Sequence, residues 1–167
     1  ANPVETTDNL QDQTMQRSNT DNAPRSAIHQ TLYSADTFVQ HDYLAGKALP
    51  DIARPQEGQI NWLHFVGIND AALLKHALEP YGIHELVIED ILSRKQRPKI
   101  EDYGNYVFTA AQVYHYTTTG KLHSDQVYVI IGKDFVLSFQ QKPLGLFSQL
   151  RRQMHENPHN IDRKSTR

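Results

Sequence analysis

The chain has 167 residues, 38% hydrophobic and 22% charged, a mixture that suits one globular domain with a core of moderate size. A formal net charge of -2 speaks against a dedicated nucleic-acid binder, which carries a clear basic excess. With no cysteine, disulfides, thiol catalysis and cysteine-ligated metal are excluded, and no apolar run approaches the roughly 20 residues of a membrane-spanning helix.

Residues Ala1–Ala27 have no aromatic residue and are rich in Asn, Thr, Gln, Asp and Ser, so they are expected to form a polar, flexible tail. Their opening shows neither the basic start nor the apolar block of a signal peptide. The folded part is expected to begin at Ile28 and run to Arg167. Ile28–Tyr33 and Thr37–Leu44 predict two short strands joined by Ser34, Ala35 and Asp36. Ala45–Gln59, with two prolines and two glycines, predicts a connecting loop. Ile60–Val66 is rich in aromatic and branched residues and predicts a strand, with Trp62 in the core.

A helix is expected next, started by Asn69 or Asp70, carrying Leu73, Leu74, Ala77 and Leu78 on one face and ended by Tyr81-Gly82. A second helix is predicted over Glu85–Lys95, with Val87, Ile88, Ile91 and Leu92 on one side. Arg94 and Lys95 would then face the negative end of its dipole, and Pro98 would stop it. Tyr106–Tyr116, Asp125–Ile131 and Phe135–Gln140 read as an antiparallel meander, turned at Thr117–His123 and at Gly132-Lys133-Asp134. A last helix is expected from Leu146 to about Glu156, with Phe147, Leu150 and Met154 toward the core and Asn157-Pro158 as its breaker. These elements define an α/β protein built on a mixed, largely antiparallel sheet.

The chemistry can be narrowed by inspection. There is no phosphate-cradling glycine loop, no GxSxG and no HExxH. Nine histidines are present, but Pro158 between His155 and His159 prevents that pair from sharing a helix face; His64, His76 and His115 are expected at strand or helix borders. The charged centre is more informative. Glu85, Glu89 and Asp90 lie on the second helix, Arg94, Lys95, Arg97 and Lys99 follow, and Glu101 and Asp102 close the run. Solvated ion pairs account for such a run by default, and the interleaved acids weaken a phosphate-binding reading. Glu89 and Asp90 can also offer oxygen ligands to a hard cation, because magnesium keeps most of its water and needs only one or two carboxylates. Asp90 falls at the border of the apolar face defined by Val87 and Ile91.

The stretch Gly82-Ile83-His84-Glu85-Leu86-Val87-Ile88-Glu89-Asp90-Ile91-Leu92, then Gln96-Arg97-Pro98-Lys99-Ile100-Glu101-Asp102-Tyr103 and Asn105-Tyr106-Val107-Phe108, resembles the central signature of CorA magnesium channels. Ile60-Asn61-Trp62 before it, and Gln126-Val127 and Phe135–Gln140 after it, extend the resemblance over about Ile60–Arg152. The resemblance implies an α/β/α cytoplasmic domain, without enzymatic activity, of a homopentameric channel in the inner membrane that carries magnesium or cobalt. It implies that Asp90 is the main ligand of a regulatory Mg2+ (Co2+ being the alternative ion), with Glu89 as a secondary or second-site ligand. A neighbouring protomer's stalk helix would supply the facing carboxylate, and bound metal would hold the pentamer closed. That stalk, two membrane helices and a Gly-Met-Asn pore motif would follow Arg167, so this chain is expected to carry one side of each regulatory site. Arg97, Pro98 and Lys99 are expected to fix the helix exit and pair with nearby acids, and Tyr103 and Tyr106 to serve packing. The competing readings are a zinc transporter of the ZntB type, which generally lacks the Glu-Asp pair, a magnesium-dependent hydrolase using Glu89/Asp90 and Glu101/Asp102, and a protein-interaction module.

Overall fold

The computed structural model describes residues 26–44, 48–67, 69–143 and 145–157. The expected tail, apart from its last two residues, therefore lies outside the described part, as do Pro158 and His159. Seven strands form one sheet: β1 (Ala27–Tyr33), β2 (Phe38–Leu44), β3 (Ile60–Val66), β4 (Lys99–Asp102), β5 (Tyr106–Tyr116), β6 (Leu122–Gly132) and β7 (Phe135–Gln140). Helices α1 (Ala71–Leu78) and α2 (Glu85–Ser93) follow β3, with a single 3-10 turn at Glu79–Tyr81 between them, and α3 (Leu146–Glu156) follows β7. The strand order is β2-β1-β3-β7-β6-β5-β4. Every pairing is antiparallel except β3 with β7. A parallel neighbour requires a crossover, and here that crossover is everything from α1 to β6.

The two faces of the sheet are covered differently. On the first, α1 and α2 bury Leu74, Leu78, Val87 and Ile91 against Ile28, Leu63, Phe65, Phe108, Ile130 and Leu137. Phe65 and Phe139 stack there with ring centres 4.8 Å apart. Gln30 and Asn61 are also buried on this face, and they remain paired: Gln30 Nε2 donates to Asn61 Oδ1, Tyr43 donates to Gln30 Oε1, and Asn61 Nδ2 donates to the Tyr81 hydroxyl. On the second face α3 lies over β1, β2 and β3. Phe147 contacts His64 with ring centres 4.4 Å apart, and Arg151 Nη2 donates to Asp42 Oδ1 at 2.7 Å. Beyond α3 this face carries Ile100 and Ile131, 76% and 51% exposed.

Several expectations are corrected. Helix α2 stops at Ser93, because Arg94 takes a left-handed conformation with φ 56°. Arg94 and Lys95 therefore lie beyond the last helical turn. A left-handed residue with a Cβ is strained by about 1 kcal/mol or more, so Arg94→Gly is expected to raise stability by up to about 1 kcal/mol, read from the denaturant midpoint. Strand β4 was not anticipated. It is a four-residue edge strand paired to β5. Strand β6 begins at Leu122, so the β5–β6 hairpin extends further than the Asp125 start implied; its turn is tied by Thr117 and Lys121. Leu150 is 45% exposed, and no residue of α3 is fully buried. Trp62, by contrast, is buried in β3 as expected; it lies on the second face, where its Nε1 donates to Ser138 Oγ.

His64 is an interior residue of β3 at 2% exposure, not a border residue. Burial pushes its pKa down to about 3, assisted by the positive charges of His29 on β1 and Arg151 on α3. The sign of the linkage follows. Below the ordinary histidine pKa the unfolded chain takes up a proton that the folded chain refuses. Stability is therefore complete above about pH 6.5 and falls by about 1.4 kcal/mol per unit as pH drops toward 3. Denaturant titrations between about pH 7.5 and 4.5 should show this slope, and His64→Gln should flatten it.

Candidate metal-sensing site

Helix α2 is positioned from both ends. At its start the His84 side chain accepts from Leu86 N–H, while His84 N–H donates to the buried Tyr106 hydroxyl at 2.9 Å. Tyr103 stacks on Tyr106 with ring centres 5.0 Å apart, so both tyrosines do serve packing. Past its end, Gln126 of β6 grips Gln96 through both backbone groups: its Oε1 accepts from Gln96 N–H and its Nε2 donates to the Gln96 carbonyl. Arg94 donates to the Asn69 side chain ahead of α1. Along the helix, Val87, Ile88 and Ile91 are buried, which sets its rotation.

That rotation separates Glu89 from Asp90, since consecutive helix residues point about 100° apart. Glu89 is exposed, and its charge acts on Lys75 of α1, which pairs with Glu85 at 2.5 Å. The Asp90 side chain is 22% exposed and turns toward β4. There Lys99 Nζ donates to Asp90 Oδ2 at 2.7 Å and to Glu101 Oε1 at 3.0 Å. The Tyr103 hydroxyl donates to the other Glu101 oxygen at 3.1 Å, and the Lys99 ammonium lies 5.5 Å from the centre of the Phe108 ring.

The electrostatics follow from these contacts. The hydrogen bond to Asp90, with help from Glu101, holds Lys99 above its ordinary pKa. Lys99 in turn pulls Glu101 below the usual carboxylate range. Tyr128 is pushed up to about 12 by burial and then by the Asp90 charge, so its hydroxyl stays neutral and donates to Gln126 Oε1 at 2.6 Å. Two carboxylates thus converge on one positive charge through oxygen atoms alone. Such a donor set fits a hard divalent ion that keeps most of its water. Among the described residues, no group of three or more histidines and acids is arranged to enclose a metal.

Of the residues singled out from the sequence, the structure places Asp90 in this cluster and Glu89 outside it. Lys99 pairs with acids as expected, while Arg97 is exposed. Sequence reasoning groups Glu101 with Asp90 only in the hydrolase reading and not at the metal-sensing site; the signal for the contact is the alternation Lys99-Ile100-Glu101, which puts Lys99 and Glu101 on one side of a strand.

The fold is thus a mixed-sheet α/β domain with an acidic, oxygen-lined helix edge. The CorA-like Mg2+ transporter protein family model matches residues 57–166, more than half of the chain. The chain belongs to that family. It is 38% identical over 97 residues to the cobalt/magnesium transport protein CorA of Thermotoga maritima, an alignment covering 58% of this chain and 28% of that protein. The chain thus spans less than a third of that relative's length. Among solved structures it resembles the soluble domain of CorA from Methanocaldococcus jannaschii, with a TM-score of 0.57 and 11% identity over 77% of this chain and 46% of that one. It also resembles the ZntB cytoplasmic domain from Vibrio parahaemolyticus, with a TM-score of 0.54 and 12% identity over 80% and 51%. At such identities the two structures speak for the fold alone. Both support the α/β reading with a mixed sheet. The family is one of transporters, which sets the hydrolase reading aside. No helix among the described residues is long and apolar enough to cross a membrane.

Proposed function

We propose that this chain is the cytoplasmic, divalent-metal-sensing part of a CorA-type magnesium and cobalt channel, with Asp90 as the principal ligand and Glu89 as a secondary or second-site ligand. The observation that carries the reading is the Asp90 carboxylate: half-buried at the edge of α2, it already holds a cation, the Lys99 ammonium, at 2.7 Å. Mg2+ would be the regulatory ion and Co2+ its alternative. The full-length protein would be a homopentamer of the inner membrane, with this domain on the cytoplasmic side. Asp90 would hold the ion together with a carboxylate of the neighbouring protomer, and their shared grip would keep the domains in the closed arrangement. Losing that grip would shift the population toward an open one.

A zinc transporter of the ZntB type is the competing reading. Zinc favours nitrogen and sulfur ligands, whereas the groups gathered around Lys99 are carboxylates. The relative at 38% identity is a cobalt/magnesium protein, which also favours the magnesium branch.

The test is Asp90→Ala in the full-length protein. Magnesium is expected to protect the wild type from proteolysis and to protect the variant only at concentrations about tenfold higher or more, a loss of one charged ligand. Equal protection at equal magnesium would remove Asp90 from the sensing role.

A further inference from the structure

Strands β5 and β6 run past the rest of the sheet. Strand β4 pairs with β5 only as far as Ala110, and β7 pairs with β6 only from Val127 onward. From the Gln112/Gln126 pair to the Tyr116/Leu122 pair the hairpin is therefore a two-stranded ribbon with no strand beside it among the described residues. Such a ribbon is marginally stable by itself. Its two sides carry different chemistry. Phe108 and Ala110 lie on the face covered by α1 and α2, so Tyr114 and Tyr116 follow on that side. The other side carries His115, His123 and Asp125.

His115 and His123 stand directly opposite each other in the ladder, with ring centres 6.2 Å apart and planes at 34°. Two imidazole nitrogens sharing one ion, at the zinc–nitrogen distance of about 2.0–2.1 Å, set their ring centres about 5.5 Å apart. Side-chain torsions alone can close the difference: His123 is exposed, and exposed side chains change rotamer within nanoseconds. Asp125 lies two residues beyond His123, and its Oδ2 is 3.7 Å from His115 Nδ1. That nitrogen is buried and has no hydrogen-bond partner. An ion on His115 Nε2 leaves the imidazole proton to Nδ1, whichever tautomer precedes it, and the Asp125 carboxylate is then the acceptor that this N–H can approach. Histidines that hold a metal almost always donate their other ring nitrogen in this way.

The donor set decides the ion. Imidazole suits zinc, nickel and copper, whereas magnesium takes oxygen ligands. Two imidazoles make an open chelate whose remaining positions water can fill, so an enclosed group of three protein ligands is not required. The pair is also separate from Asp90, which stands on α2 over the opposite face of the sheet. We propose that His115 and His123 bind a divalent transition ion through their Nε2 atoms, that Asp125 positions the His115 ring, and that the ion clamps the free end of the β5–β6 hairpin.

The test uses the 167-residue chain labelled with 15N, at neutral pH and without phosphate in the buffer. Zinc chloride is titrated, and the ring nitrogens of His115 and His123 are followed by long-range proton–nitrogen correlation. Both Nε2 resonances are expected to shift together and to saturate below about 1 mM zinc, a range that captures submillimolar affinity. Magnesium chloride at about ten times that concentration should produce no such shift, because the ion prefers water and carboxylate oxygen. His123→Gln, at an exposed position, should weaken zinc binding at His115 about tenfold or more, by loss of one of two ligands. Asp125→Asn should weaken it about tenfold, as loss of a carboxylate behind a metal-bound histidine does; an unchanged affinity would overturn the positioning role. If His123→Gln disturbs the amide spectrum of the hairpin, His115→Gln, read at His123, makes the same comparison. The proposal is overturned by the absence of a saturable shift at either ring up to about 1 mM zinc. An equal response to magnesium, or a His115 shift that His123→Gln leaves unchanged, would overturn it as well.

Discussion

Replacing Phe108 by Ala is expected to lower the unfolding free energy by about 3–5 kcal/mol, a large share of the roughly 5–15 kcal/mol that holds an ordinary domain. Phe108 is 0% exposed, and its ring lies parallel to Tyr128, with centres 6.1 Å apart and planes at 9°. It sits in β5 on the sheet face that carries α1 and α2, so truncating it leaves a cavity that packed helices fill only in part. The loss should appear as a lower denaturant midpoint with an unchanged slope. The same ring underlies Lys99. The variant should therefore also loosen the Asp90–Lys99 contact, seen as sharper lysine signals in side-chain NMR. A destabilisation below about 1 kcal/mol would mean that the helices close over the gap.

Replacing Lys99 by Met is the second expected result, and it rests on the metal-sensing reading. In the wild type the ammonium is tethered to the carboxylate that a divalent ion must win, and it places a positive charge where that ion would sit. Both side chains are partly exposed, 28% for Lys99 and 22% for Asp90, so the pair itself contributes modestly. Losing the competitor and its charge is expected to strengthen Mn2+ binding about five- to tenfold, equivalent to about 1–1.4 kcal/mol. Paramagnetic broadening of the amides around Asp90 reads the affinity directly. The Met stem keeps the apolar packing over Phe108 while removing the charge. Tightening in Lys99→Met that disappears in Lys99→Met combined with Asp90→Ala would support competition at Asp90. Unchanged affinity would show that Lys99 is a structural counter-ion and nothing more.

Some of the fold was legible because it depends on local periodicity. In β3 the run Ile60–Val66 is nearly all apolar or aromatic, which marks a strand buried on both faces. For α1, Asp70 as cap and Leu73, Leu74, Ala77 and Leu78 as the buried stripe needed only helical spacing. The border position of Asp90 came the same way, from Val87 and Ile91 on its own helix.

Other features had no local signature. Strand β4 contains one large apolar residue, Ile100, and it is 76% exposed. Its pairing with β5 is what makes it a strand. The early end of α2 depends on a left-handed arginine, a conformation that sequence patterns associate with glycine. The sidedness of Trp62 was hidden because a strand buried on both faces shows no alternation.

The sequence by itself determined the family, through the resemblance of its central motif, and the α/β class and the place of Asp90 on an apolar helix edge, which follow from short-range spacing. Only the tertiary structure decided that Glu89 and Asp90 face different neighbours, that Lys99 and Glu101 complete the Asp90 cluster, and that His64 and Arg151 meet beneath α3. These are contacts between side chains of separate elements. They are set by how a helix is rotated against a sheet and by which face of a buried strand a residue takes.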